Sequence, residues 1–554
     1  MTDPTVRRER LGLALILLGQ LALAIPLGIR HALEIRPDSI AYLRIARYVA
    51  EGRFDLAVSG YWGPLLSWIA APVVRLTDHP VAPARVAMIV ASLVMTLGAF
   101  ALLRRLELEP RLRLFAAALV ALAAGTWSAR PITPDMLLAG LLLWGASRLV
   151  DPTWPDRRGV QLAAGALLGL AYLAKAVALP VGAAFVLVAC GLWAVAGRTD
   201  VRRLASAAGV TLLLFAALAG PWIAVLSARY GRPTFSTSGR INQAIVGPDV
   251  PEGRAVHQYR VTIARPEPGR VTVWEDPGES GYPRWSPTGS LRELRHQFVL
   301  VRRNHVELLK NFVAYDLLTL GPLALFAALL FHRPWRENMR RERWRWLGAF
   351  ALPALAIYLP VYARAARYLF PVYPMMIGAT LGLIAWTVAP PAGARDARWR
   401  RWLPFAAAFV SFGVPATLDL AAAAAAGSPP VVVAARQLGE ALARSAPAGA
   451  GIVGGGDAGL YTAFFADQPW CGDVQYERWT AATVKEHREA LAGAPCRWVL
   501  VRHDPGVENA LGSELGFADV TGAVLGDPDL AARFPLRLFE RREPPARGIT
   551  APSE

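Results

Sequence analysis

Read from its N-terminus, the chain alternates long apolar runs with short polar connections rich in arginine. Runs able to cross a bilayer as helices of about 20 residues fall near residues 11–33, 82–103, 114–129, 134–150, 160–174, 176–197, 204–226, 312–331, 346–362, 368–389 and 402–424. The pattern predicts a polytopic α-helical membrane protein with about 11 transmembrane helices. The connections orient it: "RRER", "RRLELEPRLR", "RLVDPTWPDRR", "RTDVRR", "HRPWRENMRRERWR" and "RDARWRR" make every second connection basic, and excess Lys and Arg marks the cytoplasmic side. An odd number of spans then puts the N-terminus inside and everything after residue 425 outside. "ALA" at 22–24 mimics a secretory cleavage site, but the apolar run continues past it and reads as a retained anchor.

This topology divides the chain into a membrane domain, residues 1–427, with external loops 34–81 and 227–311, and an external α/β domain, residues 428–554. After the first span, Tyr42, Ile45, Ala46 and Val49 fall at helical spacing, with Arg44, Arg47 and Glu51 opposite, an interfacial amphipathic helix. In the long loop, Tyr259, Val261 and Ile263, then Val271 and Val273, alternate around a Pro/Gly turn and predict a β-hairpin. "SLRELRHQFVLVRRNHVELLKN" predicts an Arg-rich amphipathic helix along the membrane surface. In the tail, "VVVAARQLGEALARSA" reads as a helix, and "AGIVGG" and "CRWVLVRH" as strands.

Composition agrees with the bilayer reading: 54% of the 554 residues are hydrophobic and 18% charged. The net charge of +17 is spread in short clusters between apolar runs, which marks topogenic charge and not a nucleic-acid face. Three cysteines, none in a CxxC spacing, exclude a disulfide scaffold and argue against structural zinc. Cys471 and Cys496 share the external tail, where an oxidising compartment favours a bond; two buried free thiols are the alternative. His257, His296 and His305 share the outer side but form no metal-ligand spacing. "GIVGGGDAGLYTAFF" lacks the full dinucleotide fingerprint and reads as structural.

Candidate chemistry gathers on the outer side. Asp38 follows the first span, where it either caps the interfacial helix or serves as a reactive carboxylate. In "ARPITPDMLLAG", Thr133 can cap and Pro134 can take the first helical position, leaving Asp135 in the first turn at the depth of Asp38. Lys175, in the turn "YLAKAVALP", is an ammonium between apolar helices that calls for an anion or for snorkelling. "YARAARYLFPVYP" puts Arg364, Arg367, Tyr368 and Tyr373 at the outer start of a span, where positive-inside statistics do not account for arginine. Trp274, Tyr282 and Trp285 can stack on sugar faces or pack the loop.

The set "PDSIAYLRIAR", "TPDMLLAGLLL", "LAKAVALP" and "RYLFPVYP", in this order and on one side, with a soluble tail, resembles the GT-C membrane glycosyltransferases. The similarity is greatest to the branch of protein O-mannosyltransferases and bacterial aminoarabinose and galacturonic acid transferases. The resemblance covers roughly residues 1–390 and implies transfer of a sugar from a polyprenyl-phosphate donor to an envelope glycan, lipid or protein on the outer face of the plasma (inner) membrane. Asp38 then matches the family's catalytic acid, Tyr42 its neighbouring tyrosine and Asp135 the second acid. The chain reads Asp38-Ser39 and Ala41-Tyr42 where relatives often have two adjacent acids and an Arg before the tyrosine, which argues against the aminoarabinose activity specifically. On this reading Asp38 is the general base of an inverting transfer. Lys175, Arg367, Arg240, Tyr368 and Tyr42 meet the donor phosphate, and Trp274, Tyr282 and Trp285 meet the acceptor or sugar. No cofactor is required, and a divalent cation is compatible with the scheme. The rival classes are a lipid-linked sugar transporter or flippase, which would show repeats and mid-bilayer charges, and a non-catalytic envelope scaffold.

Overall fold

A computed structural model describes residues 4–197, 199–250, 263–278, 283–330, 344–362, 364–388, 398–475 and 478–541. Each apolar run of the sequence falls on a helix. Pro4–Arg30, Ala82–Arg105, Ala178–Val195, Val201–Tyr230 and Trp399–Ala425 are individually long and apolar enough to cross a membrane. The others are shorter or carry charge at an end: Pro110–Trp127, Asp135–Leu149, Arg158–Ala174, Leu320–Leu330, Trp344–Ala356 and Tyr373–Thr387. The run 312–331 needs correction, because its first residues finish the surface helix Leu291–Tyr315 and the span starts at Leu320 after a bend of 116°. Asp316 builds that corner by accepting from Gly321 N at 2.6 Å and from the Ser411 hydroxyl.

Small residues set how closely the spans approach. A Cβ on Gly98 would strike the Gly140 carbonyl, and one on Gly140 would strike the backbone of Val94. Helices Ala82–Arg105 and Asp135–Leu149 therefore touch backbone to backbone, as small residues allow in bilayers. This contact fixes the helix that carries Asp135 at its N-terminal end.

The interfacial helix Pro37–Glu51 forms, but Arg44 is not on a solvated face as the charge pattern suggested. It is buried, with Nη1 on Asp467 Oδ1 at 2.6 Å and Nη2 on the Gly269 carbonyl at 3.1 Å. The C-terminal domain and the long loop cover that face, which no local pattern reveals.

Residues 430–541 hold helix Pro430–Ser445 and a sheet of β1 (Ile452–Gly454), β2 (Trp498–Arg502), β3 (Phe517–Asp519) and β4 (Leu536–Arg541), in the order β1-β2-β4-β3. β1 and β2 are parallel, while β4 runs antiparallel to both of its neighbours. The turn after β1 runs through Gly454, Gly455 and Gly456 at φ of 83°, 73° and 55°, which only glycine adopts freely. The Gly456 N–H donates to Asp473 at 2.7 Å, so a carboxylate of the chain itself occupies the turn. Cys471 and Cys496 form a disulfide with their Cα atoms 6.6 Å apart.

The expected hairpin is not found in its described half. Tyr259 and Val261 lie outside the described residues, and Val273–Glu275 is a 3-10 turn. Instead the loop is tied to the C-terminal domain, Ala264 N donating to Cys471 O at 2.9 Å and Trp470 N to Val271 O at 2.6 Å.

Candidate active site

Asp38 is the second residue of its helix, yet its carboxylate does not cap it. Ser39 does that work, its hydroxyl accepting from Arg36 N at 3.1 Å. Asp38 Oδ1 instead accepts from the Trp274 indole N–H at 3.2 Å, and Oδ2 lies 3.5 Å from Arg367 Nη2. A third of the Asp38 side chain remains exposed, facing a cavity of about 300 Å³ that Tyr42, Lys175, Arg367 and Tyr368 also line.

Behind this wall lies Asp135, whose side chain is 3% exposed. Lys175 Nζ donates to its Oδ1 at 2.6 Å, and Arg367 Nε is 3.1 Å from its Oδ2. Asp135 therefore does not line the cavity, and the four charges form a row, Asp38–Arg367–Asp135–Lys175. Its helix begins after Pro134 with no side-chain cap, so Thr133 does not cap it. Lys175 ends helix Arg158–Ala174 and sits 4.6 Å above the Tyr368 ring, which stacks on Tyr358 at 4.2 Å. Tyr42 packs its edge against Trp62 at 5.2 Å. Burial first, then the charges of Asp135 and Asp38, push its hydroxyl well above the ordinary tyrosine value, which keeps it a neutral donor.

Arg367 and Tyr362 also line a second cavity, of about 590 Å³, with Arg36, Arg130, Trp127 and Tyr315 among its walls. Arg130 pairs with Asp419 there. Sequence reasoning did not single out Arg36 or Arg130, although "RPD" and "ARP" place each next to a proline one or a few residues before the acids it did choose.

Three expected contacts are not brought to the Asp38 cavity. Trp274 is buried against Trp62, whose indole donates to the Trp274 carbonyl at 2.8 Å, so it holds Asp38 and does not offer a stacking face. Arg240 and Trp285 line a separate cavity of about 350 Å³ with Arg284. The short helix Ser238–Ala244 divides the two spaces, turning Ser238 and Asn242 to one and Arg240 and Gln243 to the other. Tyr282 lies outside the described residues. Among the described residues, no group of three or more His, Cys, Asp or Glu side chains could hold a metal ion. His296 and His305 turn their rings to the carbonyls of Val246 and Val301, and His257 lies outside the described residues.

Residues 62–224 match the family profile of dolichyl-phosphate-mannose-protein mannosyltransferases. The matched segment includes Asp135 and Lys175 but neither Asp38 nor Arg367. A comparison with curated proteins finds no match. The fold resembles the oligosaccharyltransferase of Archaeoglobus fulgidus in its apo form, with a TM-score of 0.57 at 13% identity over 94% of this chain and 72% of that one. The same archaeal enzyme, AglB, in complex with an inhibitory peptide and a dolichol-phosphate, gives 0.56 at 14% over the same shares. ArnT from Cupriavidus metallidurans, bound to undecaprenyl phosphate, gives 0.52 at 16%, over 95% of this chain and 97% of that one. The apolar spans, the small C-terminal sheet and these likenesses together make this chain a multi-pass membrane protein with the fold of the GT-C glycosyltransferases.

Proposed function

We propose that the protein is an inverting glycosyltransferase that moves a sugar from a polyprenyl-phosphate donor to an envelope glycan, lipid or protein acceptor on the outer face of the plasma membrane. On this reading the N-terminus is cytoplasmic and residues 428–554 are extracytoplasmic. The observation that carries it is the row Asp38–Arg367–Asp135–Lys175, in which a partly exposed carboxylate meets a cavity beside two cations held by a buried acid.

Asp38 takes the proton of the acceptor hydroxyl as that oxygen attacks C1 of the sugar. The C1–oxygen bond to phosphate breaks on the opposite face, and polyprenyl phosphate leaves with the bonding pair. Configuration at C1 inverts. Arg367 and Lys175 face the charge that grows on the phosphate, and such preorganised cations act most strongly where water is scarce. Asp135 touches neither reactant and serves as a positioning residue for both cations. Arg367 lines both cavities, and on this reading each takes one substrate.

The test is a transfer assay with purified protein, radiolabelled polyprenyl-phosphate sugars and envelope acceptors. Asp38→Asn keeps the Trp274 and helix contacts but cannot take a proton, so transfer should fall by about 10²-fold or more with expression unchanged. Full transfer by Asp38→Asn removes the base assignment. Transport of the intact lipid-linked sugar without transfer would make the protein a flippase.

A further inference from the structure

Helix Leu291–Tyr315 is 25 residues long, about 38 Å at helical rise. It meets the span Leu320–Leu330 at 116° and so runs more across that span than along it. Its inner face is settled: Leu300, Asn304 and Phe312 are buried, Asn304 Nδ2 donates to the Leu359 carbonyl at 2.7 Å, and Gln297 Nε2 to the Pro360 carbonyl at 2.7 Å. These carbonyls belong to the segment whose Tyr358 and Tyr362 line the Asp38 cavity.

The outer face has no such partner. Leu291, Leu294, Phe298, Val306, Leu309 and Val313 recur at helical spacing and are all exposed, Leu291 at 86%, Phe298 at 68% and Leu309 at 60%. Arg295 and Arg302 fall within this stripe and are exposed; neither has an ion-pair partner among the described residues, whereas Arg292 pairs with Asp249 and Lys310 with Glu307. An exposed apolar stripe with unpaired arginines in it costs free energy in water. At a bilayer surface the apolar groups enter the acyl boundary while the guanidinium groups reach up to headgroup phosphates.

We propose that this face of Leu291–Tyr315 is a docking surface for anionic phospholipid headgroups of the leaflet on the Asp38 side, with Arg295 and Arg302 as the headgroup contacts. The occupant follows from charge complementarity and from continuity: four residues beyond Asp316 the chain enters a span, so the bilayer adjoins the helix. The docked helix braces the segment that leads into Arg367, which makes lipid charge a determinant of how the cavity wall is held. This role does not depend on the transfer reaction.

The experiment uses the full chain reconstituted in phosphatidylcholine bilayers with a minority of phosphatidylglycerol. Cys190, the free cysteine, is changed to Ser and a fluorophore is attached at Phe298→Cys. Quenching is measured from a nitroxide near the headgroup, carried either on the anionic or on the zwitterionic lipid. One basic side chain near an anionic surface is worth about fivefold in local enrichment, so quenching by the anionic carrier should exceed the other by at least about threefold at low salt and fall at 1 M salt. Arg295→Gln with Arg302→Gln should bring the ratio to about one while the label stays quenched. An unquenched label would place the stripe in water or under another protein and overturn the proposal, as would equal quenching by both carriers. Neither outcome bears on the transfer assay, so the two readings fail separately.

Discussion

The buried acid offers the strictest test of how the charge row is held. Asp135 is 3% exposed and meets Lys175 at 2.6 Å and Arg367 at 3.1 Å, whose side chains are 26% and 33% exposed. Removing one partner of a buried ion pair costs about 3–5 kcal/mol, because the survivor is left uncompensated. Here both cations retain some water, Lys175 keeps the Tyr368 ring at 4.6 Å and Arg367 keeps Asp38 at 3.5 Å. The cost of Asp135→Asn should therefore drop to about 2–3 kcal/mol. Lys175→Met leaves Asp135 with Arg367 alone and should cost about 1–2 kcal/mol. In the double variant the orphaned ammonium is gone, so the total should stay near 2–3 kcal/mol and the coupling should reach about 1–2 kcal/mol. Reversible SDS-induced unfolding followed by far-UV circular dichroism measures each corner of the cycle. Additivity within about 0.5 kcal/mol would mean that the two side chains do not stabilise one another, and Asp135 would lose its positioning role.

Three further outcomes follow from particular contacts. Trp274→Phe removes the N–H that meets Asp38 at 3.2 Å; a hydrogen bond to a charged group is worth about 1.5–3 kcal/mol, so transfer should fall by roughly tenfold or more with little change in unfolding, and unchanged transfer would show that Asp38 needs no holder. Gly140→Ala forces its helix away from the Val94 backbone and should destabilise the membrane domain by about 1–3 kcal/mol, read in the same SDS titration. Burial raises the Asp473 carboxyl to about 6 from an ordinary 3.8, so the folded domain holds this proton after the unfolded chain has released it. Its stability should then fall by about 3 kcal/mol as pH rises from about 4 to about 6 and level off above, and Asp473→Asn should flatten that slope in thermal unfolding.

The sequence made the membrane helices legible because each needs a long apolar run. Helix breaks were harder. The corner at Asp316 passed unread, since Phe312 and Val313 are as apolar as the span they precede. The charges of the candidate site stood out because a carboxylate or ammonium beside an apolar helix is costly and so conspicuous. Their partners did not. Trp274 lies 236 positions from Asp38, and an aromatic ring in a loop has the same signature whether it stacks on a sugar or holds a carboxylate. Arg240 and Trp285 share the loop with Trp274 yet face another cavity, because one turn of Ser238–Ala244 sends Arg240 away from Ser238 and Asn242, and Trp285 is tied to the Gln243 carbonyl of that helix. The strands Phe517–Asp519 and Leu536–Arg541 passed unread, the first because it has three residues and the second because Arg537, Glu540 and Arg541 interrupt its apolar positions.

The hold on Asp38 originates away from the apolar spans. Glu275 is fully buried and accepts from Val271 N at 2.8 Å, Thr272 N at 3.1 Å and the Tyr48 hydroxyl at 2.7 Å. Burial raises its carboxyl above the ordinary value, opposed chiefly by Arg44. That arginine is clamped in turn by Asp467 of the C-terminal domain, while Val271 is bonded to Trp470 of the same domain. Trp274 thus sits on a turn closed by Glu275, and Glu275 is seated by groups that the domain and the interfacial helix supply together. The proposed proton transfer would need a carboxylate held in alignment, and this one is fixed from two directions, by Arg367 on one and by the domain through Trp274 on the other. The C-terminal domain, far from being a separate module tethered to the spans, is part of what gives the carboxylate its orientation.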